Sequence, residues 1–210
     1  MIILAGMIGA GKSLYTKKLS NELGTKAFFE PVANNPILDK YYAEPDKYAF
    51  SLQIFFLNQR FKLIKEAFNE NNNVLDRSIY EDELFTYVNT LEGNISTEEF
   101  AIYTDLVDNM MEELEGLPKK APDLLVYLDA DIDHVLKNIK KRGREYEQVE
   151  NDPGLLDYYK LLIDNYVGWF ENYNKSPKIK IDASQYDVNK EEDWQIVYGL
   201  IENKMKEIGL

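Results

Sequence analysis

Short apolar runs alternate along the chain with longer segments in which apolar residues recur every three or four positions. The runs have the length of buried strands, and the longer segments have the period of amphipathic helices. The predicted strands are 1–5, 25–31, a turn followed by a strand at 71–78, 122–130 and 178–183. The predicted helices are 12–23, 45–70, 79–91, 97–115, 131–142, 154–174 and 190–208.

This alternation favours an α/β architecture, with a parallel five-stranded sheet and helices on both of its faces. We find no internal repeat and no low-complexity linker, so residues 1–210 are expected to form a single domain. Ligands bind such sheets at the carboxyl ends of the strands, which directs attention to the residues that follow each strand.

Glu30 ends the second strand, which we expect to lie beside the first. A carboxylate there could take a proton from an attacking hydroxyl.

Composition narrows the classes of partner. The chain has 24 lysines and arginines against 37 acidic residues, a net charge of −13, which disfavours nucleic acid as a partner. No apolar run reaches the roughly 18 residues of a membrane helix, and no basic segment precedes the first strand as in a signal peptide. We therefore expect a cytoplasmic protein with no membrane partner. The absence of cysteine excludes disulfides and thiolate metal sites.

The stretch GMIGAGKS at 6–13 fits the pattern G-x-x-x-x-G-K-[ST] between a predicted strand and a predicted helix. In such a phosphate-binding loop (P-loop), backbone N–H groups and the helix N-terminus hold phosphates. Lys12 would reach the β- and γ-phosphates, and Ser13 would offer a hydroxyl to Mg²⁺. The pattern predicts binding of a nucleoside triphosphate, most simply ATP. The predicted ATP-binding residues here are Gly6, Met7, Ile8, Gly9, Ala10, Gly11, Lys12 and Ser13.

An Asp-Arg pair follows the third strand. Asp76 could hold Mg²⁺, and Arg77 could stabilise charge on a transferred phosphoryl group. Asp129, after the fourth strand, is a competing acid. We rank Asp76 above it because Arg77 and Asp82 crowd around Asp76 in the sequence.

Two further clusters concern the ligand. Gln53 and Arg60 are seven positions apart and share one face of a predicted helix, where the amide of Gln53 suits the edge of a base. A basic run around Arg142 and Arg144 ends another helix and enters a glycine-containing loop. Because a triphosphate needs neutralising from its far side, we interpret about 142–150 as an Arg-rich lid.

Together these features resemble the deoxynucleoside kinase family, of the type that includes deoxycytidine, deoxyguanosine and above all bacterial deoxyadenosine kinases. The resemblance covers most of the chain and implies a P-loop kinase fold. Beside the P-loop, it rests on the segments FFEPV (28–32), YYAEPDKYAFSLQIFFLNQR (41–60), DRSIYED (76–82) and RGREYE (142–147). The chain departs from the family at two positions. Asp76 stands where animal members mostly have Glu, and Asn35 stands where the family often has Trp.

The resemblance implies a role for each matching residue. Glu30 would lie by the 5′-hydroxyl as the base, with Asp76 serving Mg²⁺ or proton transfer, so that the proton acceptor is either of the two. Arg77 would bridge the 5′-oxygen and the transferred group, and Tyr42 and Glu147 would bond the 3′-hydroxyl. The base would be read by Gln53, Arg60 and Asp82. The triphosphate would be covered by Arg142 and Arg144.

The expected activity is transfer of the ATP γ-phosphate to the 5′-hydroxyl of a deoxynucleoside, in nucleotide salvage. We favour purine deoxynucleosides, deoxyadenosine first, because Arg60 and Asp82 offer a donor and an acceptor to a ring with acceptor nitrogens and an exocyclic amine. Deoxycytidine also has an exocyclic amine, so it remains an alternative substrate. The resemblance implies a homodimer, for which 50–68 and 97–114 are candidate faces.

Two other functions remain as alternatives. A nucleoside-monophosphate kinase of the thymidylate kinase type shares the P-loop, an Asp-Arg pair and a lid. It must also hold the phosphate of its acceptor, which Glu30 and Glu147 would repel. A P-loop switch protein that reads GTP would need an Asn-Lys-x-Asp-like guanine contact, and the sequence has none after a strand.

Overall fold

The computed structural model describes residues 1–30, 32, 35–67, 73–113 and 122–210. Several predicted boundaries therefore lie outside the described residues: Pro31, the helix end at 68–70, the turn at 71–72 and the helix end at 114–115. No helix in these ranges is long and apolar enough to cross a membrane.

The described residues form a five-stranded parallel sheet in the order β2-β3-β1-β4-β5. The strands are β1 (Ile2–Gly6), β2 (Ala27–Phe28), β3 (Val74–Asp76), β4 (Leu124–Asp129) and β5 (Lys178–Asp182). All residues of β1 and β3 are buried, as expected for central strands whose two faces are both covered. The predicted α/β class and five-stranded parallel sheet are confirmed.

Helices connect the strands and cover the sheet. They are α1 (Lys12–Glu22), α2 (Leu38–Ala43), α3 (Pro45–Ala67), α4 (Ile79–Leu91), α5 (Thr97–Glu113), α6 (Ile132–Arg142), α7 (Gly154–Asn172) and α8 (Glu191–Glu207). A short 3₁₀ turn, Glu145–Glu147, follows α6. The main apolar core surrounds β1, β3 and β4. A second, smaller core lies between α2, α3 and Ile95, beneath one end of the pocket described below.

Two expectations about the edge of the sheet were wrong. The second strand is only two residues long rather than 25–31, and it pairs with β3 instead of β1. Val74 of β3 has Ile2 of β1 on one side and Ala27 of β2 on the other, so β3 separates them. Glu30 therefore extends from the edge strand and reaches the centre of the site through its side chain.

Helix α2 was not predicted. Six residues are too few to show a helical period in the sequence. Its start depends on Asn35, whose Oδ1 accepts hydrogen bonds from the backbone N–H groups of Ile37 (2.9 Å) and Leu38 (3.1 Å). At the position where the resembled family often has Trp, this chain thus has a side chain that begins a helix.

Candidate active site

One pocket of about 910 Å³ lies at the carboxyl ends of the strands. Its walls come from the P-loop, α2, α3, the turn after β3, the segment around 142–147 and the loop after β5. The pocket brings together most of the site residues predicted from the sequence. Those predicted residues that lie behind its wall rather than on it are Gly6, Met7 and Arg60.

Two glycines of the P-loop lie very close to neighbouring backbone. Gly6 has φ +149° and Gly9 has φ +83°. A Cβ on Gly6 would lie 2.8 Å from the carbonyl oxygen of Leu128, and one on Gly9 would lie 2.9 Å from that of Val135. Since real Cβ atoms do not approach oxygen so closely, the sequence needs glycine here to seat the loop on β4 and α6.

Lys12 and Ser13 begin α1 at the end of the loop. The ammonium of Lys12 donates hydrogen bonds to the carbonyl oxygens of Gly6 (2.7 Å) and Met7 (2.9 Å). Burial lowers the pKa of Lys12 to about 8, with Arg77 adding to the effect. The cation is therefore held inside the loop, close to where a phosphate would lie.

Asp76 ends β3 and faces the start of α1. Its Oδ2 accepts a hydrogen bond from the hydroxyl of Ser13, whereas its buried Oδ1 has no hydrogen-bond partner among the described residues. Burial raises the pKa of Asp76, although the nearby Lys12 opposes the rise. A hydroxyl beside a carboxylate with a free oxygen is a donor set that suits Mg²⁺.

Glu30 lies between two buried arginines. Its Oε1 is 2.8 Å from Nη2 of Arg60 and 3.1 Å from Nε of Arg77. Burial alone would raise the pKa of Glu30, but Arg77, Arg60 and Lys12 together outweigh it and hold the pKa at about 2. The carboxylate therefore stays ionised at neutral pH.

Arg60 is held by a second carboxylate as well. Its Nε donates a hydrogen bond of 2.6 Å to Oδ2 of Asp82. Burial raises the pKa of Asp82 to about 6, and Arg60 limits the rise. The guanidinium of Arg60 is thus placed between Glu30 and Asp82, where it links the two carboxylates behind the pocket wall.

Arg77 occupies an unusual turn directly after β3. It has φ +79°, the single non-glycine positive φ among the described residues, and its backbone N–H donates to the carbonyl of Leu4 (2.8 Å). Its guanidinium lies 4.4 Å from the ring centre of Phe85, and its Nη1 donates to the hydroxyl of Tyr166 (3.2 Å). Contacts from several sides therefore orient this side chain toward the pocket.

The turn leads into α4 through a capping box. The hydroxyl of Ser78 accepts from the N–H of Tyr80 (3.1 Å), and Glu81 accepts from the N–H of Ser78 (2.7 Å). Glu81 was not among the predicted site residues. The S-x-x-E spacing in the sequence signals its place in the first turn of a helix. It gives no sign of its contact with the P-loop, which depends on how β1 and β3 are paired.

The end of the pocket beside α2 and α3 is aromatic. Tyr42 stacks on Tyr146, with ring centres 5.0 Å apart and planes at 29°. Gln53 is buried and lines the same wall. Tyr41 donates to Oδ1 of Asn89 (3.0 Å) from the small core behind them. Flat apolar rings next to one amide can hold a planar heterocycle and read its edge.

The predicted lid residues are joined to one another. Arg142 ends α6, Gly143 follows with φ +73°, and Arg144 begins the next turn. Glu147 is buried, and its carboxylate accepts from Nη2 of Arg142 (2.5 Å) and from Nη1 of Arg144 (3.1 Å). The residue expected to bond a sugar hydroxyl therefore also holds both lid arginines.

The other end of the pocket contains residues that are not among the predicted site residues. His134, Lys137 and Asn138 come from α6, and the loop 183–190 comes from the end of β5. Asn138 donates to the carbonyl of Gly9 (2.8 Å), which fixes this end to the P-loop. The rule that ligands bind after strand ends could have pointed to 183–190.

Asp129, the competing acid, is placed differently. It is not part of the pocket wall, and its carboxylate pairs with Lys180 at 3.1 Å.

Comparison with known proteins gives consistent matches. Residues 2–205 match the family model described as deoxynucleoside kinase. The chain is 52% identical over 210 residues to a deoxyguanosine kinase of Lactobacillus acidophilus, covering all of this chain and 92% of that protein. It is 47% identical over 210 residues to a deoxyadenosine kinase of the same organism, covering all of this chain and 98% of that protein. Its fold is similar to the solved structure of deoxyadenosine kinase from M. mycoides with bound dATP, with a TM-score of 0.80, 30% identity, and coverage of 96% of this chain and 98% of that one.

Proposed function

This chain belongs to the deoxynucleoside kinase family, and on that premise we propose that it transfers the γ-phosphate of ATP to the 5′-hydroxyl of a purine deoxynucleoside. The family assigns the reaction type, an ATP-dependent transfer to a nucleoside. What we propose in addition is the role of each residue in the pocket, the purine preference, the magnesium site and the dimer.

The observation that carries the proposal is the charge pattern at the acceptor end. Glu30, Asp82 and Glu147 are carboxylates in or beside the pocket, and each is already paired with an arginine. A nucleoside monophosphate would bring two further negative charges close to these carboxylates. A nucleoside has hydroxyls that can donate to carboxylates and no charge of its own. This favours a nucleoside kinase over a kinase of the thymidylate kinase type.

We assign the binding of the reacting 5′-oxygen to Glu30 and Arg77. With a pKa of about 2, Glu30 is a weak base, but phosphoryl transfer needs little proton removal before the bond to phosphorus forms. We propose that Glu30 orients the 5′-hydroxyl and receives its proton as the oxygen bonds the γ-phosphorus. The bond to the β-phosphate oxygen then breaks and ADP leaves. Arg77 would neutralise charge on the transferred group.

Ser13 and Asp76 are the residues proposed to hold Mg²⁺. The free, buried Oδ1 of Asp76 supports this assignment because an unpartnered carboxylate oxygen is costly unless a cation or water satisfies it. The ion would supply charge neutralisation on the β- and γ-phosphate oxygens. Assigning Asp76 to the metal leaves Glu30 as the proton acceptor.

The donor triphosphate would lie along the P-loop. Backbone N–H groups of 6–13 and the ammonium of Lys12 would hold its phosphates. Arg142 and Arg144 would cover them from the opposite side, and Glu147 would bond the 3′-hydroxyl of the acceptor together with Tyr42. The donor base would then point to the wall formed by α6 and 183–190, away from α3.

The acceptor base would be read by Gln53 and Asp82, with Arg60 fixing the carboxylate. The Gln53 amide offers an acceptor and a donor side by side, which matches the adjacent donor and acceptor on the edge of adenine. Asp82 can accept from an exocyclic amine. We therefore place deoxyadenosine first. Deoxyguanosine is the second candidate, favoured by the 52% identity to a protein named deoxyguanosine kinase.

The base assignment is tested by kcat/KM for deoxyadenosine, deoxyguanosine, deoxycytidine and thymidine, with wild type and the Gln53→Leu variant. We expect Gln53→Leu to lower kcat/KM for the purines about 10- to 100-fold, because a base donor and acceptor lose their partner. The control is Gln59→Leu, the same change on the same helix away from the pocket wall. Equal loss for both variants, or wild-type values for Gln53→Leu, would contradict the assignment.

We also propose a homodimer in the cytoplasm, where ATP for salvage is available. Exposed apolar side chains support the dimer: Ile102 on α5 is 62% exposed, and Leu91 and Tyr87 on the adjacent α4 are 50% and 41% exposed. We call these three residues the α4–α5 patch. Such side chains on two neighbouring helices suit an interface with a second copy of the chain.

A further inference from the structure

The buried carboxylate of Glu81 joins the P-loop to the turn that carries Arg77. Glu81 has no exposed surface. Its Oε1 accepts from the backbone N–H of Gly6 (2.8 Å), and its Oε2 accepts from the backbone N–H of Ser78 (2.7 Å). Gly6 is the first residue of the P-loop and Ser78 directly follows Arg77. The side chain of Glu81 thus links the P-loop, which would hold the phosphates, to the turn that carries Arg77.

Strand pairing explains why this contact exists. The N–H of Ile2 donates to the carbonyl of Asn73 on the β3 side, and every second residue of β1 faces the same way. If this ladder continued, the N–H of Gly6 would donate to the carbonyl of Arg77. However, β3 ends at Asp76, and Arg77 turns away with φ +79°. Glu81 supplies the missing acceptor, so the orientation of the turn and that of the P-loop are fixed by the same group.

Tyr166 on α7 completes the connection. Its hydroxyl accepts from Nη1 of Arg77 (3.2 Å) and lies 2.7 Å from Oε1 of Glu81 and 3.0 Å from the carbonyl oxygen of Gly6. The one hydroxyl proton is shared between these two acceptors. The ring is fully buried and stacks near Tyr127, so the hydroxyl has little freedom to move.

We propose that Glu81 and Tyr166 are positioning residues that hold the Arg77 guanidinium in register with the P-loop. The inference rests on the proposed function, in which Arg77 acts on the transferred phosphoryl group. Neither residue lines the pocket, so neither touches the substrates. They act through Arg77 and Gly6. We expect their effect on the transition state, in which a correctly oriented Arg77 guanidinium stabilises the negative charge on the transferred phosphoryl group.

Tyr166→Phe tests the proposal because it removes one hydroxyl and keeps the ring. We expect kcat to fall about 10-fold or more, while KM for ATP and for the deoxynucleoside stays within about twofold. The control is Tyr127→Phe, which removes the hydroxyl of the neighbouring stacked ring. That hydroxyl lies 3.4 Å from Asp129 and contacts neither Arg77 nor Gly6. We expect wild-type kcat for the control.

A double-mutant cycle separates positioning from general stability. In an Arg77→Ala background, Tyr166→Phe should lower kcat no further, because the group that it positions is gone. An equal loss in both backgrounds, a loss confined to KM, or wild-type kcat for Tyr166→Phe would overturn the proposal.

Glu81→Gln provides a second test. The variant keeps the shape of the side chain but has one hydrogen-bond-accepting oxygen instead of two, and we expect the same pattern of kcat and KM.

The outcome for the proposed function is read separately, from the wild-type enzyme. Phosphorylation of purine deoxynucleosides by the wild type supports that function whatever the variants do. A Tyr166→Phe variant that matches this wild type overturns only the positioning role.

Discussion

Glu30 shows how buried charges define the chemistry of the pocket. Its carboxylate is more than four-fifths buried, a position that would cost several kcal/mol without partners, and two guanidinium groups compensate it. The same two arginines that keep Glu30 ionised leave it free to accept a hydrogen bond from a substrate hydroxyl. Charge compensation among Glu30, Arg60 and Arg77 is thus both a structural and a functional feature.

We predict that Glu30→Gln lowers the free energy of unfolding at pH 7 by roughly 3 kcal/mol. The folded-state pKa of Glu30, about 2, lies below its ordinary value of 4.5. The stabilisation is therefore fully present above pH 4.5 and is lost as the pH falls from about 4.5 toward 2. Urea unfolding at pH 7, 5, 4 and 3.5 should show the difference between wild type and variant shrinking in the acid range. A difference that stays constant over this range would contradict the prediction.

We predict that Lys12→Ala lowers kcat at least about 100-fold, because the loop loses the charge that meets the developing negative phosphate oxygens. The measurement is ADP formation with ATP and deoxyadenosine. The matched control is Lys18→Ala on the same helix, whose ammonium lies 3.6 Å from the exposed carboxylate of Glu191. The control should keep wild-type activity, and similar losses in both variants would refute a special role for Lys12.

The ends of helices and strands carry much of the site, and the two lid arginines flank Gly143, the residue that directly follows α6. Gly143 adopts φ +73°, and its N–H donates to the carbonyl of Ile139 (3.1 Å), as in many helix termini. This turn brings Arg142 and Arg144 to the same carboxylate of Glu147. The geometry of the lid therefore depends on one glycine.

We predict opposite effects for two Gly→Ala changes. Gly143→Ala should lower the free energy of unfolding by about 1 kcal/mol, since a Cβ disfavours positive φ. Gly168→Ala, inside α7, should raise it by about 0.5–1 kcal/mol, since alanine restricts the unfolded chain and favours the helix. Apart from the adjacent residues and the backbone of the same helix, no described atom lies within 4 Å of a Cβ built at either position, so packing does not interfere. Thermal or urea unfolding measures both, and changes of the same sign would contradict the backbone argument.

The sequence was sufficient for most elements and insufficient for the contacts between them. Helix α4 was predicted at its observed bounds, because the helical pattern of apolar residues covers the same segment. Helix α2 was missed because it is too short for a period, and the neighbour of β2 was wrong because pairing depends on the whole sheet. Pattern matches identified Lys12 and Asp76 as candidates.

The role of Glu81 could not be predicted, since its partner Gly6 is 75 positions away. The contact of Arg60 with Glu30 was missed for the same reason, whereas Arg60 and Asp82 were expected together beside the base. In both cases the charged side chains are visible in the sequence, but their ion-pair and hydrogen-bond partners are determined by the tertiary fold.

Assembly is a property of the whole molecule. The α4–α5 patch includes residues of α4, the helix that contributes Asp82 and Phe85 to the pocket wall, so an interface there would support the acceptor end from outside. The strong negative charge of the chain means that such an interface must be apolar to overcome repulsion between copies.

We predict that the wild-type protein elutes with twice the 24.5 kDa mass of the chain in size-exclusion chromatography with light scattering. Ile102→Asp should shift it toward the monomer, because a charge would be buried without a partner. Ile196→Asp, a change at a similarly exposed position on α8, should leave the dimer intact. A monomeric wild type, or dissociation by both variants, would contradict an interface at the α4–α5 patch.

The central claim is that the pocket takes a neutral purine deoxynucleoside and phosphorylates its 5′-hydroxyl. The most direct measurement is a product assay with ATP and Mg²⁺ against the four deoxynucleosides, their 5′-monophosphates and the matching ribonucleosides. The account predicts ADP and 5′-monophosphate from deoxyadenosine and deoxyguanosine, with little transfer to any monophosphate. Robust transfer only to monophosphates would contradict it, because the paired carboxylates at the acceptor end could not then be reading a nucleoside.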